Sequence, residues 1–171
     1  RDEQIARYNQ FTTVMGQCKI PVCSLAWQPD GAVRSYKRVG EHTRGSVSGI
    51  VDMEEIAKRE ASHGRVYSEE EIWDNFKYFL DRTLPVCEKA GVKMALHPND
   101  PPAACVMGVP SLIYNSDGFK RAFELAGNSP YLGMKLCVGC WLEAGEQFGN
   151  LMEDIRYFVE QGKVLAVHFR N

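Results

Sequence analysis

Apolar and polar positions alternate along this chain in a repeating order of helix and strand. The pattern predicts a helix over Glu3–Met15 that Gly16 breaks. The next segment, Ile20–Trp27, is short and almost continuously apolar, as is typical of a strand in a parallel sheet that is covered on both faces. These two elements indicate an α/β protein.

The clearest helix signal follows Ser68. Ser68 and Glu71 form a capping-box pattern, and the apolar residues after them recur at helical spacing as far as Gly91. Two further helices are predicted: one that ends near Ala126 and is capped by Ser116 or Asp117, and one over Phe148–Gln161.

Further strands are predicted between these helices: Val92–Leu96, Ser111–Tyr114, Leu132–Val138 and Val164–Phe169. Strands that alternate with helices favour a parallel α/β sheet, and the absence of a GxGxxG or P-loop motif argues against nucleotide binding. A complete (β/α)8 TIM barrel takes about 250 residues. We therefore interpret residues 1–171 as a single domain that is an incomplete, interior portion of such a barrel.

Residues 28–67 form the longest stretch without clear periodicity. The stretch has about forty residues and is rich in Gly, Ser, Arg and Glu, whereas βα connections usually have about 2 to 6. We expect it to be a lid-like loop over the barrel mouth, because closing such a loop excludes water from a site.

Composition and charge exclude several classes of protein. The chain has 20 Lys and Arg against 22 Asp and Glu, a formal net charge of −2 and 44% hydrophobic residues. This balance allows a sizeable core and excludes disordered and low-complexity classes. Because positive charge is not clustered, we expect neither a nucleic-acid nor a membrane partner. Without an apolar stretch of roughly 18 residues or a signal peptide, a cytoplasmic protein is expected.

Three potential metal ligands stand at the same place relative to the predicted strands. His97, Cys137 and His168 each lie at a carboxyl-terminal strand end. In a barrel these ends converge on one mouth, so residues about one βα unit apart can meet around one ion. Each side chain taken alone is more often simply packed in a core. Their shared position favours a distributed metal site.

The pattern CVGC contains Cys137 and Cys140, which would also suit a redox pair or half of a zinc knuckle. A knuckle needs a second CxxC or paired His, and a redox pair should begin a helix. The sequence indicates neither, so we interpret Cys140 as a loop residue or a neighbour of the metal ligands. Cys18, Cys23 and Cys87 are interpreted as small buried hydrophobes.

The segment HPNDPP places Asn99 and Asp100 beside His97. Their amide and carboxylate groups could orient a ligand or substrate hydroxyls, although the same residues before proline also form ordinary turns. His42 and His63 lie in the polar stretch and are expected to be solvated.

Several motifs resemble those of the mannonate dehydratases in their order and spacing. They are GVKMALHPNDPP, KLCVGC, VHFRN and the helix WDNFKYFLDRTLPVCEKAG. The resemblance runs from Trp73 to Asn171 and more loosely through Pro29–Ser35, where Arg34 is similar in place to a family arginine. It implies a (β/α)8 barrel related to xylose-isomerase-like enzymes. It also implies a divalent metal ion, Mn²⁺, held by His97, Cys137, His168 and an aspartate beyond Asn171.

The resemblance further implies metal-dependent dehydration of a sugar acid, D-mannonate, to 2-keto-3-deoxygluconate and water. The expected partner is thus a small-molecule sugar acid, and a homo-oligomer stays open. Four residues are candidates for substrate binding: Arg34, Asn99, Asp100 and Arg170.

This chain departs from the family pattern at three positions. Asn99, Ser111 and Cys140 stand where the family usually has Asp, Arg and Ser. The Ser111 departure removes a cation that could pair with a sugar-acid carboxylate. A sugar isomerase or epimerase of the same superfamily and a non-catalytic metal- or sugar-binding relic are therefore the alternatives.

Overall fold

The computed structural model describes residues 1–40 and 43–170. In chain order its helices and strands are α1 (Asp2–Gln17), β1 (Val22–Ala26), β2 (Tyr36–Val39), β3 (Val47–Ile50), α2 (Met53–Ala57), α3 (Glu69–Ala90), β4 (Lys93–His97), β5 (Cys105–Val106), β6 (Val109–Pro110), α4 (Ser116–Leu125), β7 (Leu132–Cys137), α5 (Val138–Ala144), α6 (Leu151–Glu160) and β8 (Val164–His168).

A parallel sheet in the order β1-β4-β7-β8 positions the residues of the candidate site. Each neighbouring pair of strands is parallel, with Ala26 opposite His97 and Cys137 opposite His168. The two central strands are largely buried, whereas β1 and β8 are more exposed. Strands that neighbour one another in chain order and run parallel are the arrangement found in a barrel.

Helix α3 forms as its sequence predicts. The hydroxyl of Ser68 accepts a hydrogen bond from the Glu71 amide, and Gly91 ends the helix in the left-handed conformation at φ 68°. The apolar stripe of α3 packs into the main core, where Phe76 and Leu80 are fully buried.

Helix α1 continues past the predicted break at Gly16 and ends at Gln17. A Cβ at Gly16 would lie 2.5 Å from the carbonyl oxygen of Ala90, so glycine serves here for close approach to the end of α3 rather than for termination. Helix α4 also differs in detail, because its cap is Asn115, whose Oδ1 accepts from the Gly118 amide at 2.8 Å.

The predicted strand over Ser111–Tyr114 is wrong. This segment is a turn whose central residues, Leu112 and Ile113, are buried. The backbone of Ile113 pairs with Asn99: its amide donates to Asn99 Oδ1 and its carbonyl accepts from the Asn99 amide, both at 2.8 Å. The Ile113 amide therefore donates to the Asn99 side chain instead of to the backbone of a neighbouring strand.

Residues 28–67 contain more regular structure than the sequence indicates. Strands β2 and β3 form an antiparallel hairpin, and Asp52 caps the short helix α2. The stretch packs against the segment after β4, since the amides of Ser62 and Tyr67 donate to the carbonyls of Met107 and Gly108. It thus contacts the chain beyond the carboxyl end of β4, and a lid role stays a prediction.

No helix among the described residues combines the length and the apolar character needed to cross a membrane.

Candidate metal centre

Three adjacent strands end on potential metal ligands. His97 is the last residue of β4, Cys137 of β7 and His168 of β8. Parallel strands end at the same edge of a sheet, so the register that pairs Cys137 with His168 brings their side chains together. The ligand atoms of the three residues all lie within 4.8 Å of one another, as the sequence predicts.

The spacing of these atoms suits a shared ion. Cys137 Sγ lies 3.4 Å from Nδ1 of His168, and that nitrogen lies 3.5 Å from Nε2 of His97. Ligands about 2.0 to 2.3 Å from one tetrahedral ion are separated by about 3.3 to 3.8 Å. Two imidazoles and a thiolate are a donor set for a divalent transition metal, so the residues present fit such an ion.

His97 is already oriented as a ligand. Its Nδ1 lies 2.6 Å from the carbonyl oxygen of Pro98, which can only accept and therefore fixes the proton on Nδ1. The lone pair of Nε2 then faces Cys137 and His168. A backbone carbonyl that sets the tautomer of a histidine in this way is typical of metal ligands.

One interpretation of the sequence placed Cys140 in a loop. It lies instead in the first turn of α5, which begins directly after Cys137. Both thiols are free and fully buried. The neighbouring Cys140 and, after it, His97 hold the pKa of the Cys137 thiol well below its usual range against the opposing effect of burial. The neighbouring Cys137 thiol and burial both raise the pKa of Cys140. Of the two thiols, Cys137 is therefore the one whose charged form its surroundings favour.

A group of four charged residues, here called the arginine network, lies beside the metal ligands. Arg34 donates through both terminal nitrogens to the two carboxylate oxygens of Asp100, at 2.8 and 2.9 Å. Arg170 donates to both carboxylate oxygens of Glu143, at 2.5 and 3.1 Å, and its Nη2 lies 3.6 Å from Asp100. The structure thus brings three of the predicted substrate-binding residues together and adds Glu143.

Asn99, the fourth predicted substrate-binding residue, is turned away from this network. It is only 4% exposed, and its Nδ2 donates to the carbonyl of Trp27 at 3.1 Å while its Oδ1 accepts from Ile113. Both polar atoms of the Asn99 side chain are hydrogen-bonded to backbone, so Asn99 connects Trp27, which follows β1, to the turn over residues 111–114. Direct contact with a substrate stays a prediction.

Comparison with known proteins identifies the family to which this site belongs. Residues 36–171 match the D-mannonate dehydratase (UxuA) family. The chain belongs to this family. The resemblance found in its motifs is confirmed, and the match begins well before Trp73.

Curated mannonate dehydratases are similar to this chain over much of its length. The enzyme of Thermotoga neapolitana is 43% identical over 103 residues, which cover 60% of this chain and 28% of the relative. The enzyme of Thermotoga petrophila is 36% identical over 137 residues, which cover 79% of this chain and 37% of the relative. The matched segments thus cover well under half the length of these mannonate dehydratases.

The fold-class prediction is confirmed by a solved structure. The crystal structure of mannonate dehydratase from Streptococcus suis serotype 2 superposes with a TM-score of 0.83 at 27% identity, covering 98% of this chain and 50% of that one. The α/β arrangement described above is therefore that of half a mannonate dehydratase chain, in accord with part of a TIM barrel.

Sequence reasoning did not identify two residues of this candidate site. Gln28 holds the backbone of Asp100, because its Nε2 donates to the Asp100 carbonyl at 2.6 Å and its Oε1 accepts from the Asp100 amide at 2.9 Å. The sequence signal that could have identified Gln28 is its position just after the carboxyl end of β1. Glu143 gave no signal, since helix α5 was not predicted.

Gly139 allows the arginine network to approach α5. A Cβ at this position would lie 2.6 Å from Cγ and 2.8 Å from Cζ of Arg170. Of the two histidines expected to be solvated, His63 is exposed and its Nε2 lies 3.0 Å from Asp30 Oδ1, whereas His42 lies outside the described residues.

Proposed function

We propose that the protein carrying this chain is a metal-dependent hydro-lyase that dehydrates D-mannonate to 2-keto-3-deoxygluconate. The observation that carries the proposal is the convergence of His97, Cys137 and His168 within 4.8 Å at three strand ends, in a chain of the mannonate dehydratase family. The proposed substrate is a small sugar acid. A homo-oligomer and a cytoplasmic location stay predictions.

The proposed metal ligands are Nε2 of His97, Sγ of Cys137 and Nδ1 of His168, and the proposed ion is Mn²⁺. A divalent ion bound there supplies positive charge that stabilises the charge developing on the substrate when the proton next to its carboxylate is removed. His97 keeps its own proton on Nδ1, against Pro98, and so presents an unprotonated nitrogen to the ion.

The arginine network is proposed to orient the substrate carboxylate. Arg34 and Arg170 are the cations beside the metal ligands, and planar guanidinium groups bind carboxylates through paired hydrogen bonds. In the described structure both are held by Asp100 and Glu143. A substrate carboxylate would therefore share these donors, and the two acidic residues would keep the guanidinium groups in place between turnovers.

Residues 28–67 are proposed to act as a lid. The support is that Arg34, within this stretch, reaches Asp100 after β4, 66 positions further along the chain. A segment that is fastened to the arginine network in this way would exclude water from the reacting groups when substrate binds.

Product analysis with the full-length protein tests the proposal. We expect 2-keto-3-deoxygluconate to form from D-mannonate, the rate to fall to background after chelation, and Mn²⁺ to restore it. A metal-bound protein that converts a sugar or sugar acid without release of water would be an isomerase or epimerase. A protein that binds neither metal nor sugar acid would contradict the proposal.

A further inference from the structure

Gln28 is joined to the main chain of Asp100 by both polar atoms of its side chain. Its Nε2 donates to the Asp100 carbonyl at 2.6 Å, and its Oε1 accepts from the Asp100 amide at 2.9 Å. The two residues are 72 positions apart, so these hydrogen bonds connect the segment after β1 to the segment after β4. The position of the Asp100 main chain therefore depends on Gln28.

The Gln28 side chain is itself fixed by the turn that it begins. Its Nε2 has two N–H donors, and it also donates to the carbonyl of Gly31. The Gly31 amide in turn donates to the carbonyl of Gln28, and Gly31 has a positive φ of 63°. Both donors and the acceptor oxygen of the Gln28 amide are thus engaged, which holds the side chain in one orientation.

Asp100 determines in turn where the guanidinium group of Arg34 lies. Its two carboxylate oxygens accept from Nη1 and Nη2 of Arg34 at 2.8 and 2.9 Å, and paired hydrogen bonds of this kind are directional as well as strong. Nη2 of Arg170 lies 3.6 Å from the same carboxylate. A displacement of Asp100 would therefore change the position of the Arg34 guanidinium group relative to Arg170.

The rest of Arg34 is held by other groups. Nη2 of Arg59 donates to the carbonyls of Arg34 and Ser35, both at 2.9 Å. A Cβ at Gly49 in β3 would lie 3.0 Å from Cγ and Cδ of Arg34, so the aliphatic part of this side chain packs closely against the hairpin. The remaining freedom of Arg34 is thus in its guanidinium group, which Asp100 orients.

We propose that Gln28 is a positioning residue for substrate binding. It sets the position of Asp100 and, through Asp100, the orientation of the Arg34 guanidinium group toward the substrate carboxylate. The proposal rests on the proposed function, in which the arginine network orients that carboxylate. Such a network must be held to within about 0.5 Å of its productive geometry, and hydrogen bonds from neighbouring residues supply this accuracy.

The variant Gln28→Met tests this role in the full-length, Mn²⁺-loaded protein, because methionine keeps the size of the side chain and removes both hydrogen bonds to Asp100. We expect KM for D-mannonate to rise by about 10-fold, the equivalent of one hydrogen bond to a charged group. The kcat should stay close to that of the parent, because the network binds substrate and transition state alike. Calorimetric affinity for 2-keto-3-deoxygluconate, which carries the same carboxylate, should fall by the same factor, and metal content should not change.

Three further variants complete the experiment. Gln28→Glu keeps the acceptor for the Asp100 amide and loses the donor, so it should also raise KM, and it keeps the proposal testable if Gln28→Met does not fold. Gln161→Ala removes an exposed glutamine at the end of α6, before the amino end of β8, and should match the parent. In an Arg34→Lys background, which lacks the paired contact with Asp100, Gln28→Met should raise KM much less.

The outcomes separate this proposal from the proposed function. If the parent forms no 2-keto-3-deoxygluconate from D-mannonate, the proposed function is wrong. If the parent forms it and Gln28→Met keeps the parental KM and product affinity, the positioning role is overturned while the proposed function stands. An equal rise of KM in the Arg34→Lys background would also overturn it, because Gln28 would then not act through Arg34. A joint loss of metal and kcat in Gln28→Met would overturn it as well, since that would indicate a general structural role.

Discussion

Two pairs of buried cysteines in this protein have opposite chemistry. Cys23 and Cys87 lie where α1 and α3 meet β1, and Cys137 and Cys140 lie where β7 passes into α5; all four are free and buried. Burial raises the pKa of the Cys87 thiol to about 11. The pKa of Cys137 is instead lowered by its neighbours, chiefly Cys140 and then His97.

The difference teaches that the neighbours of a thiol decide its role, whereas its burial does not. Beside Cys23 and Cys87 stand the hydroxyls of Tyr8 and Thr12, in an otherwise apolar region. Neutral hydroxyls do little to offset the desolvation of a thiolate, so these cysteines act as small hydrophobic residues. In the pair Cys137 and Cys140, the neighbours of Cys137 favour its charged form. A thiolate is the form of cysteine that binds metal.

The largest contrast between the pairs should come from deleting the thiol that faces the histidines. Cys137→Ala removes a charged ligand, so metal affinity and dehydration rate should fall by more than the roughly 100-fold expected for residues that only support a ligand. Metal content after dialysis, measured beside turnover in the full-length protein, checks this. Cys87→Ala is the matched control, and its metal content and turnover should not change. If Cys137→Ala retained its metal, Cys137 would be no more a metal ligand than Cys87 is.

A second contrast should appear in alkaline solution. The unfolded chain loses the Cys87 proton near pH 9, while the folded protein keeps it until about pH 11. The unfolded state thus binds fewer protons between these values, and this contribution to stability, complete below pH 9, is lost as the pH rises. A shift of two pKa units corresponds to about 2 to 3 kcal/mol.

Urea unfolding in the presence of reductant, repeated from pH 8 to pH 11, measures this loss. The slope of unfolding free energy against pH should be steeper for the parent than for Cys87→Ala, since the difference isolates one thiol from other titrating groups. Identical slopes would mean that Cys87 is not held in its neutral form.

The smallest effect is expected for Tyr8→Phe. The hydroxyl of Tyr8 donates to Cys23 Sγ over 3.7 Å, a long contact with a weak acceptor. Its loss should cost about 0.5 to 1 kcal/mol of unfolding free energy. Metal content should be unchanged, and a fall in it would show that the two cysteine pairs are coupled.

The convergence of the three proposed metal ligands could be predicted from sequence, because their position depends only on where strands end. His97, Cys137 and His168 each close an apolar run, and parallel strands place such residues at one edge. The contact between Arg34 and Asp100 could not be predicted, since it joins residues 66 positions apart through a long connection.

The errors have equally local causes. Helix α5 has only seven residues, too few to show a helical period, so Cys140 was assigned to a loop. Four consecutive apolar or small residues look the same in a strand and in a buried turn, which explains the error over Ser111–Tyr114. The four residues of β2 are all exposed and therefore carry no hydrophobic alternation.

The close approach of Gly139 to Arg170 also limits how this site can change over evolutionary time. Any side chain at position 139 would push the guanidinium group away from Cys140 and Asp100. A larger residue there requires the Arg170 side chain to move from its present position or to be exchanged for a shorter one. The two positions lie 31 residues apart in the chain, yet the space at one depends on the side chain at the other.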